Sequence, residues 1–243
     1  MEQKNEGICR FCLKAFSGSA MSRHLRACEV KKKKDAEEMT KVKTKYPIYY
    51  LKLSSYNNNY WLHVEMKAAS TLRELDDFLR RIWLECCGHL SMFTINGIGY
   101  EDTEDQGDID DFWGRNAESI DTSLVKAMNV GNKFDYEYDF GTTTYVKGKV
   151  IVARQGVLSE TVRILARNNP YIFECVECDQ QATDYCTECE AFLCEQCLSD
   201  SDIHECSEDM ALPIVNSPRM GECGYTGDYD FDDFSVPDQN QTF

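Results

Sequence analysis

The chain has 243 residues, a net charge of −16, 42% hydrophobic residues and thirteen cysteines. That length holds one ordinary domain plus small appendages, and the apolar fraction supplies a true core for the larger piece, which excludes wholesale disorder. No apolar run approaches the ~20 residues of a membrane-crossing helix, and the opening MEQKNEGICR lacks the apolar stretch of a secretory signal. A cytoplasmic protein with no membrane partner is therefore expected. Ten of the cysteines fall in C-x-x-C pairs or beside histidine, a pattern that reads as metal binding rather than as disulfides.

Charge is unevenly spread. Residues 1–46 carry twelve Lys/Arg against six Asp/Glu, whereas residues 171–243 hold Arg219 alone against eighteen acids. Such a tail repels phosphate backbones, so any nucleic-acid contact has to come from the first 46 residues.

Cys9 and Cys12 form a C-x-x-C knuckle, His24 follows after eleven residues and Cys28 after three more. This CCHC set suits tetrahedral zinc: one tight turn presents two thiolates, and His24 and Cys28, four apart, share a helix face. Phe16 and Met21 occupy the core positions of a ββα finger. The spacing between pairs is one residue shorter than usual in that finger, and Cys28 stands where histidine usually does. Unmetallated thiols beside a surface histidine are the plainer alternative. Lys31 to Lys34 could add phosphate contacts to the finger, or could belong to a solvated helical linker together with DAEEMTKVKTK.

From Tyr46 the pattern turns strand-like. YPIYYLKLSS and YWLHVEM flank an NNN turn and predict a hairpin. Ser70 or Thr71 can cap a helix through LRELDDFLRRIWLECCG, with Gly88 as its C-terminal stop. HLSMFTINGIGYED predicts a strand and an NG turn, EDTEDQGDIDD an acidic surface loop, Thr122 to Met128 a short helix, and NKFDYEYDFG with TTYVKGKVIVARQG a long hairpin turning at Gly141. Asp135, Glu137 and Asp139 alternate along one strand and with His89 could form a hydrolytic or metal cluster; the same alternation keeps an antiparallel strand wet on one side. His63 and His89 read as half-buried histidines, and Cys86 and Cys87 as core lining. There is no phosphate-binding glycine loop and no nucleophile elbow, so no catalytic residue is assigned.

TLRELDDFLRRI, HLSMFTINGIGY, YEYDFG and ILARNNP make the stretch from about Tyr46 to Asn169 resemble the plasmid pRiA ORF-three-like domain, also labelled insertion-element passenger proteins. The resemblance implies an α+β fold and little biochemistry. Of the histidines and tryptophan that family usually carries around the segments matching HLSMF and YDFGTTT, His89 alone is present.

Near the C-terminus three knuckles follow in succession, Cys175/Cys178, Cys186/Cys189 and Cys194/Cys197, and His204 with Cys206 can complete a fourth pair. Eight ligands make two sites, with redox disulfides as the alternative. The knuckle intervals resemble the B-box and related modules, which implies that pairs one and three hold one zinc and pairs two and four the other. Only one residue separates His204 from Cys206, so Cys223 or an aspartate could replace them. The following block, LPIVNSPRMGECGYTG, is similar to segments that follow cysteine modules appended to the pRiA-like domain, which implies that it is folded. The last residues, DYDFDDFSVPDQNQTF, read as disordered or as a peptide for a basic partner.

The expected fold is α+β: an antiparallel sheet with a packed helix in a middle domain, flanked by two small zinc-stabilised modules. Its parts are a CCHC finger (1–30), a charged linker helix (31–45), the pRiA-like domain (46–170), a double-zinc module (171–226) and an acidic tail (227–243). About three zinc ions are expected. The function expected is that of an intracellular zinc-binding adaptor or regulator with a protein partner. A DNA- or RNA-binding regulator linked to mobile elements, or an enzyme centred on the middle domain, are the alternatives.

Overall fold

The computed structural model describes residues 5–102 and 117–227. The acidic loop of residues 101–111 falls mostly outside these, and so does the acidic tail apart from Gly227. The order of elements is β1 (Glu6–Cys9), β2 (Ala15–Ser17), α1 (Gly18–Ala27), α2 (Glu29–Thr40), β3 (Tyr46–Ser55), β4 (Trp61–Lys67) and α3 (Leu72–Leu79). Then come β5 (Ser91–Ile95), β6 (Ile98–Glu101), β7 (Glu118–Ser119), α4 (Leu124–Ala127), β8 (Lys133–Tyr138), β9 (Thr144–Gly156) and β10 (Val162–Asn168). The C-terminal part holds β11 (Asp184–Cys186), β12 (Ala191–Leu193), α5 (Glu195–Leu198) and β13 (Ala211–Pro213). No helix among the described residues is long and apolar enough to cross a membrane.

The fold is α+β. Ten strands form one sheet in the order β2-β1-β10-β4-β3-β9-β8-β5-β6-β7, antiparallel except for the short β6/β7 pair. The expected turns sit where the left-handed backbone is cheapest: Asn96 (φ 52°) and Gly97 (φ 82°) close β5 onto β6, and Asn58 (φ 60°) lies between β3 and β4. The Thr71 side chain accepts from the Glu74 N–H while the Glu74 carboxylate accepts from the Thr71 N–H, a capping box that starts α3. The helix stops earlier than Gly88. A single π turn over Arg80–Leu84 follows α3, and Glu85 leaves it in extended conformation. The Glu85 carboxylate accepts from Arg80 (3.0 Å), from the Tyr138 hydroxyl (3.2 Å) and from the Gly88 N–H (2.5 Å), so a side-chain anchor turns the chain before the glycine is reached.

Pleating gives β3 and β4 two buried faces. Tyr49, Leu51, Leu53, Leu62, Val64 and Met66 join Leu72, Leu75, Phe78 and Trp83 of the α3 segment in the main core. Tyr50 and Trp61 face the other way and pack with Met21 and Leu25 of α1 and with Leu165 of β10. The β3–β4 hairpin is thus enclosed on both sides, and His63, expected to be half-buried, has no exposure at all. Its ring nitrogen Nδ1 lies 2.6 Å from the Tyr50 hydroxyl; burial, helped by Lys52, holds its pKa down at about 3, so the ring is neutral.

The finger is continuous with this sheet rather than a bead on a linker. β1 pairs antiparallel with β10, from Gly7 opposite Asn168 to Cys9 opposite Ala166. The fit is close: a Cβ on Gly7 would lie 2.0 Å from the Arg167 carbonyl oxygen and 2.5 Å from the Trp61 ring. The segment read as a charged linker is held down as well. Lys31, expected among the exposed lysines, is buried and donates to Asp35 (2.7 Å) and Glu65 (2.8 Å). Arg154 donates to Glu65 at 2.7 and 2.8 Å, and Arg163 donates to Asp35, Glu65 and Glu38. Lys32, Lys33 and Lys34 remain exposed.

Glu65 is the centre of this cluster. Burial pushes its carboxyl up, but the Arg154 hydrogen bond and the charges of Lys31 and Arg163 outweigh it and hold the pKa down at about 2, against an ordinary 4.5. The folded value is the lower one, so the stabilisation is complete above pH ~4.5 and is lost as pH falls toward ~2. Glu65→Gln leaves buried cations short of a counter-charge and should cost about 3–5 kcal/mol at neutral pH. Denaturant melts across pH should show the gap between wild type and variant closing between those values. Acid-driven effects common to both proteins cancel in that difference.

Candidate metal centres

At the N-terminus the C-x-x-C turn is made by a left-handed Leu13 (φ 58°), whose N–H donates to the Cys9 carbonyl at 2.9 Å. Ser17 caps α1 through the Ala20 N–H (3.4 Å), and α1 carries His24. Cys28 lies one residue past the end of α1 in extended backbone, rather than on the helix face expected from its spacing, and α2 begins immediately after it. The break still brings its sulfur 4.0 Å from that of Cys9, while Cys12 Sγ lies 3.3 Å from His24 Nε2. All four ligand atoms, from Cys9, Cys12, His24 and Cys28, lie within 4.8 Å of one another. Phe16 stacks on the His24 ring at 3.9 Å and fixes its plane. Burial pushes the Cys9 thiol up to about 12, and burial with Lys14 holds His24 below its ordinary value, which keeps the imidazole neutral as a ligand must be.

In the C-terminal module β11 pairs with both β12 and β13, and Phe192 stacks on Phe173 with ring centroids 4.0 Å apart. The eight ligand residues separate into two interleaved sets. Cys175, Cys178, Cys194 and Cys197 gather around one point, with Cys178 Sγ 3.7 Å from Cys194 and 3.6 Å from Cys197. Cys186, Cys189, His204 and Cys206 gather around the other. His204 and Cys206 therefore lie with the second knuckle despite their tight spacing. Burial acts to raise the Cys175 thiol, but the backbone N–H groups of Cys194, Glu177 and Cys178 outweigh it and bring the value down to about 6. For Cys186 the same contest, with the Cys189 N–H, the nearby His204 ring and the Glu188 N–H against burial, ends at about 7. Each set thus holds one sulfur poised as a thiolate near neutral pH.

A fourth set was not anticipated. Cys86, Cys87 and His89 follow the π turn, and Cys223 joins them from the far end of the chain, all ligand atoms again within 4.8 Å. Cys87 is exposed and does not line the core as expected, whereas Cys86 is half-buried and packs against the main core. The signal available in the sequence was the C-C-x-H string itself, which lacks the C-x-x-C spacing. Beside it lies the anchor of the C-terminal block. Arg219 has no exposure and donates to the Thr142 carbonyl (2.6 Å), to Thr144 Oγ1 (3.1 Å) and to Asp139 Oδ2 (2.5 Å). Ser217 donates to the Trp83 carbonyl, and Asn216 exchanges hydrogen bonds with Asn168 (2.8 and 3.0 Å). The carboxylate cluster considered from the sequence does not form as a unit. Asp139 reaches His89 Nε2 at 3.5 Å but is held by Arg219, and it sits past the end of β8 with φ 65°, whereas Asp135 and Glu137 stay on the strand.

The donor sets fit a thiophilic cation. Zinc bonds of ~2.3 Å to sulfur put tetrahedral sulfurs ~3.7 Å apart; five sulfur pairs here lie 3.6 to 4.0 Å apart, and all ligand atoms of each set lie within 4.8 Å of one another. His204 is buried with neither ring nitrogen hydrogen-bonded, which leaves an orphaned acceptor nitrogen whose lone pair a bound cation would take up. Among the described residues, four groups stand where the sequence predicts three sites.

No family model matches the chain, and no curated protein does. Neither comparison supports the expected resemblance to the pRiA ORF-three-like domain. Among solved structures, the chain is similar to a protein of unknown function from Methanosarcina mazei Go1, at 19% identity and a TM-score of 0.42, covering 51% of this chain and 69% of that one.

Arg219→Ala strands the Asp139 carboxylate, and the loss of a buried pair costs ~3–5 kcal/mol. Limited proteolysis should then cut residues 214–227 at protease concentrations that leave the wild type intact there.

Proposed function

We propose that this protein is a zinc-held recognition protein, an intracellular adaptor in which the metal shapes binding surfaces and performs no chemistry. The observation that supports this is the make-up of the three sets read from the sequence. Each has four ligands from the chain itself, which leaves no coordination position for water or substrate. Residues Cys9, Cys12, His24 and Cys28 would hold one ion, Cys175, Cys178, Cys194 and Cys197 a second, and Cys186, Cys189, His204 and Cys206 a third. Bound zinc supplies a fixed tetrahedral crosslink, worth more to segments this small than the apolar surface they can bury.

The C-terminal module offers the surface for a partner. Ile172 and Val176 are 61% and 58% exposed, and Glu174, Glu177 and Asp179 are exposed beside them in sequence. Apolar contact ringed by acid suits a basic protein. A second reading, nucleic-acid binding, draws on exposed Arg23 and Arg26 of α1 with Lys33 and Lys34 of α2. Lys31 is unavailable to it.

Elemental analysis of the reduced full-length protein should find at least three zinc ions per chain, one for each of these sets. Chelation should unfold the C-terminal module while the main sheet keeps its amide protection. In lysate pull-downs, zinc-loaded protein should capture its partner with or without nuclease, and the double variant Glu177→Lys/Asp179→Lys should lose it while keeping its metal. Capture abolished by nuclease and indifferent to those substitutions would favour the second reading instead.

A further inference from the structure

The set formed by Cys86, Cys87, His89 and Cys223 lies outside the three sets read from the sequence, and Cys223 comes to it from 136 residues beyond Cys87. We propose that it is a fourth zinc site, a clasp whose ion fastens the C-terminal block to the middle domain. The proposal rests on the zinc reading of the other sets only for the identity of the ion.

Three independent features support it. The first is the donor geometry. Cys87 Sγ lies 3.7 Å from Cys86 Sγ and 3.6 Å from Cys223 Sγ, while His89 Nε2 lies 2.9 Å from Cys87 and 3.2 Å from Cys223. A disulfide needs sulfurs ~2.05 Å apart, whereas tetrahedral zinc, with bonds of ~2.3 Å to sulfur and ~2.0 Å to nitrogen, needs edges of about 3.5–3.7 Å. The two sulfur–sulfur distances made by Cys87 match that tetrahedron, all four donor atoms lie within 4.8 Å of one another, and the nitrogen is a few tenths of an ångström inside it.

The second feature is the backbone. Cys223 adopts φ 49°, a left-handed conformation unusual for a residue with a side chain, between Gly221 at 83° and Gly224 at 66°. On the opposite side Gly88, at φ 75°, bends the chain between Cys87 and His89. Both loops are folded so that their donor atoms meet.

The third is the surrounding charge. Three sulfurs gathered at one point repel one another once ionised, and Arg219 Nη2 donates to Cys86 Sγ at 3.7 Å while the same guanidinium occupies Asp139. The neighbouring carboxylate is thereby satisfied, leaving a Cys3His donor set. Such a set suits a thiophilic metal and is of the Cys3His type that holds structural zinc, with thiolates and imidazole and no hard oxygen ligand.

The clasp differs from the other sets in exposure. Cys87 and Cys223 both face solvent, whereas each of the other three sets has at least two buried ligands. It should surrender its ion to a chelator before the others do and release the loop around Cys223, while Arg219 and Ser217 keep the rest of the block docked.

Native mass spectrometry of the reduced full-length protein tests this by counting ions. Wild type should carry four zinc ions, and Cys223→Ser three. With limiting chelator, alkylation should label Cys223 before the cysteines of the other sets. If Cys223→Ser fails to fold, Cys87→Ser on the other loop should show the same loss of one ion. A wild-type count of three, equal counts in wild type and variant, or a Cys87–Cys223 disulfide in the metal-loaded protein overturns the clasp alone. A count below three overturns the three-site reading with it.

Discussion

A carboxylate with 1% exposure, surrounded by three cations, organises the N-terminal half. Glu65 sits on the face of β4 opposite the main core, where a lone negative charge would be prohibitively costly. Its counter-charges come from three directions: Lys31 from α2, Arg154 from β9 and Arg163 from β10. The finger's own contacts with the sheet, through Met21, Leu25 and the β1/β10 pairing, lie on the same side. Charge and apolar packing therefore fix the finger and α2 as one layer over β4 and β10. A helix used in this way has its inner face committed, and only its outer edge is left for recognition.

The C-terminal half repeats the device with the signs exchanged. Arg219 is the one basic residue of the last 73, and it is fully buried against Asp139, Thr142, Thr144 and the Tyr138 ring, whose centroid lies 5.2 Å away. Its neighbours in sequence carry the same attachment, with Ser217 on the Trp83 carbonyl and Tyr225 buried. Glu222, the acid between them, is exposed. An acidic segment is thereby docked with its one Lys or Arg side chain buried, while described acids such as Glu174, Glu177 and Asp179 are exposed.

Much of this was legible in the sequence because it obeys local rules. The NG turn between β5 and β6, the Thr71 capping box and the alternation of Phe134, Tyr136 and Tyr138 are set by neighbours a few residues apart, and for the same reason the Cys/His spacing picked out the twelve residues that gather in three of the clusters. What was not legible depends on pairing between distant segments. Nothing near Lys31 indicates that it is buried, because its partner Glu65 lies 34 residues away on a strand whose second face is covered only once the finger docks. His63 was misjudged on the same ground. The early end of α3 was hidden because Glu85 outcompetes Gly88 through contacts with Arg80 and Tyr138 that exist only in the folded core. Cys223 and Cys86 share no spacing rule at all.

Those long-range links have a common logic. Each flank is too small to fold on its own apolar surface; each is joined to the middle domain by a buried ion pair, and each holds sulfur-rich sets that a cation would strengthen. Ion pairs and metal ligation respond to different conditions. Protonation of Glu65 loosens the first flank only in strong acid, whereas thiolate ligands are lost to milder acid, chelators or oxidants. The sulfur sets are accordingly the labile half of the design. Buried charge fixes where each flank lies on the sheet, and a metal bound by the sulfur sets would fix the local shape of the flank there.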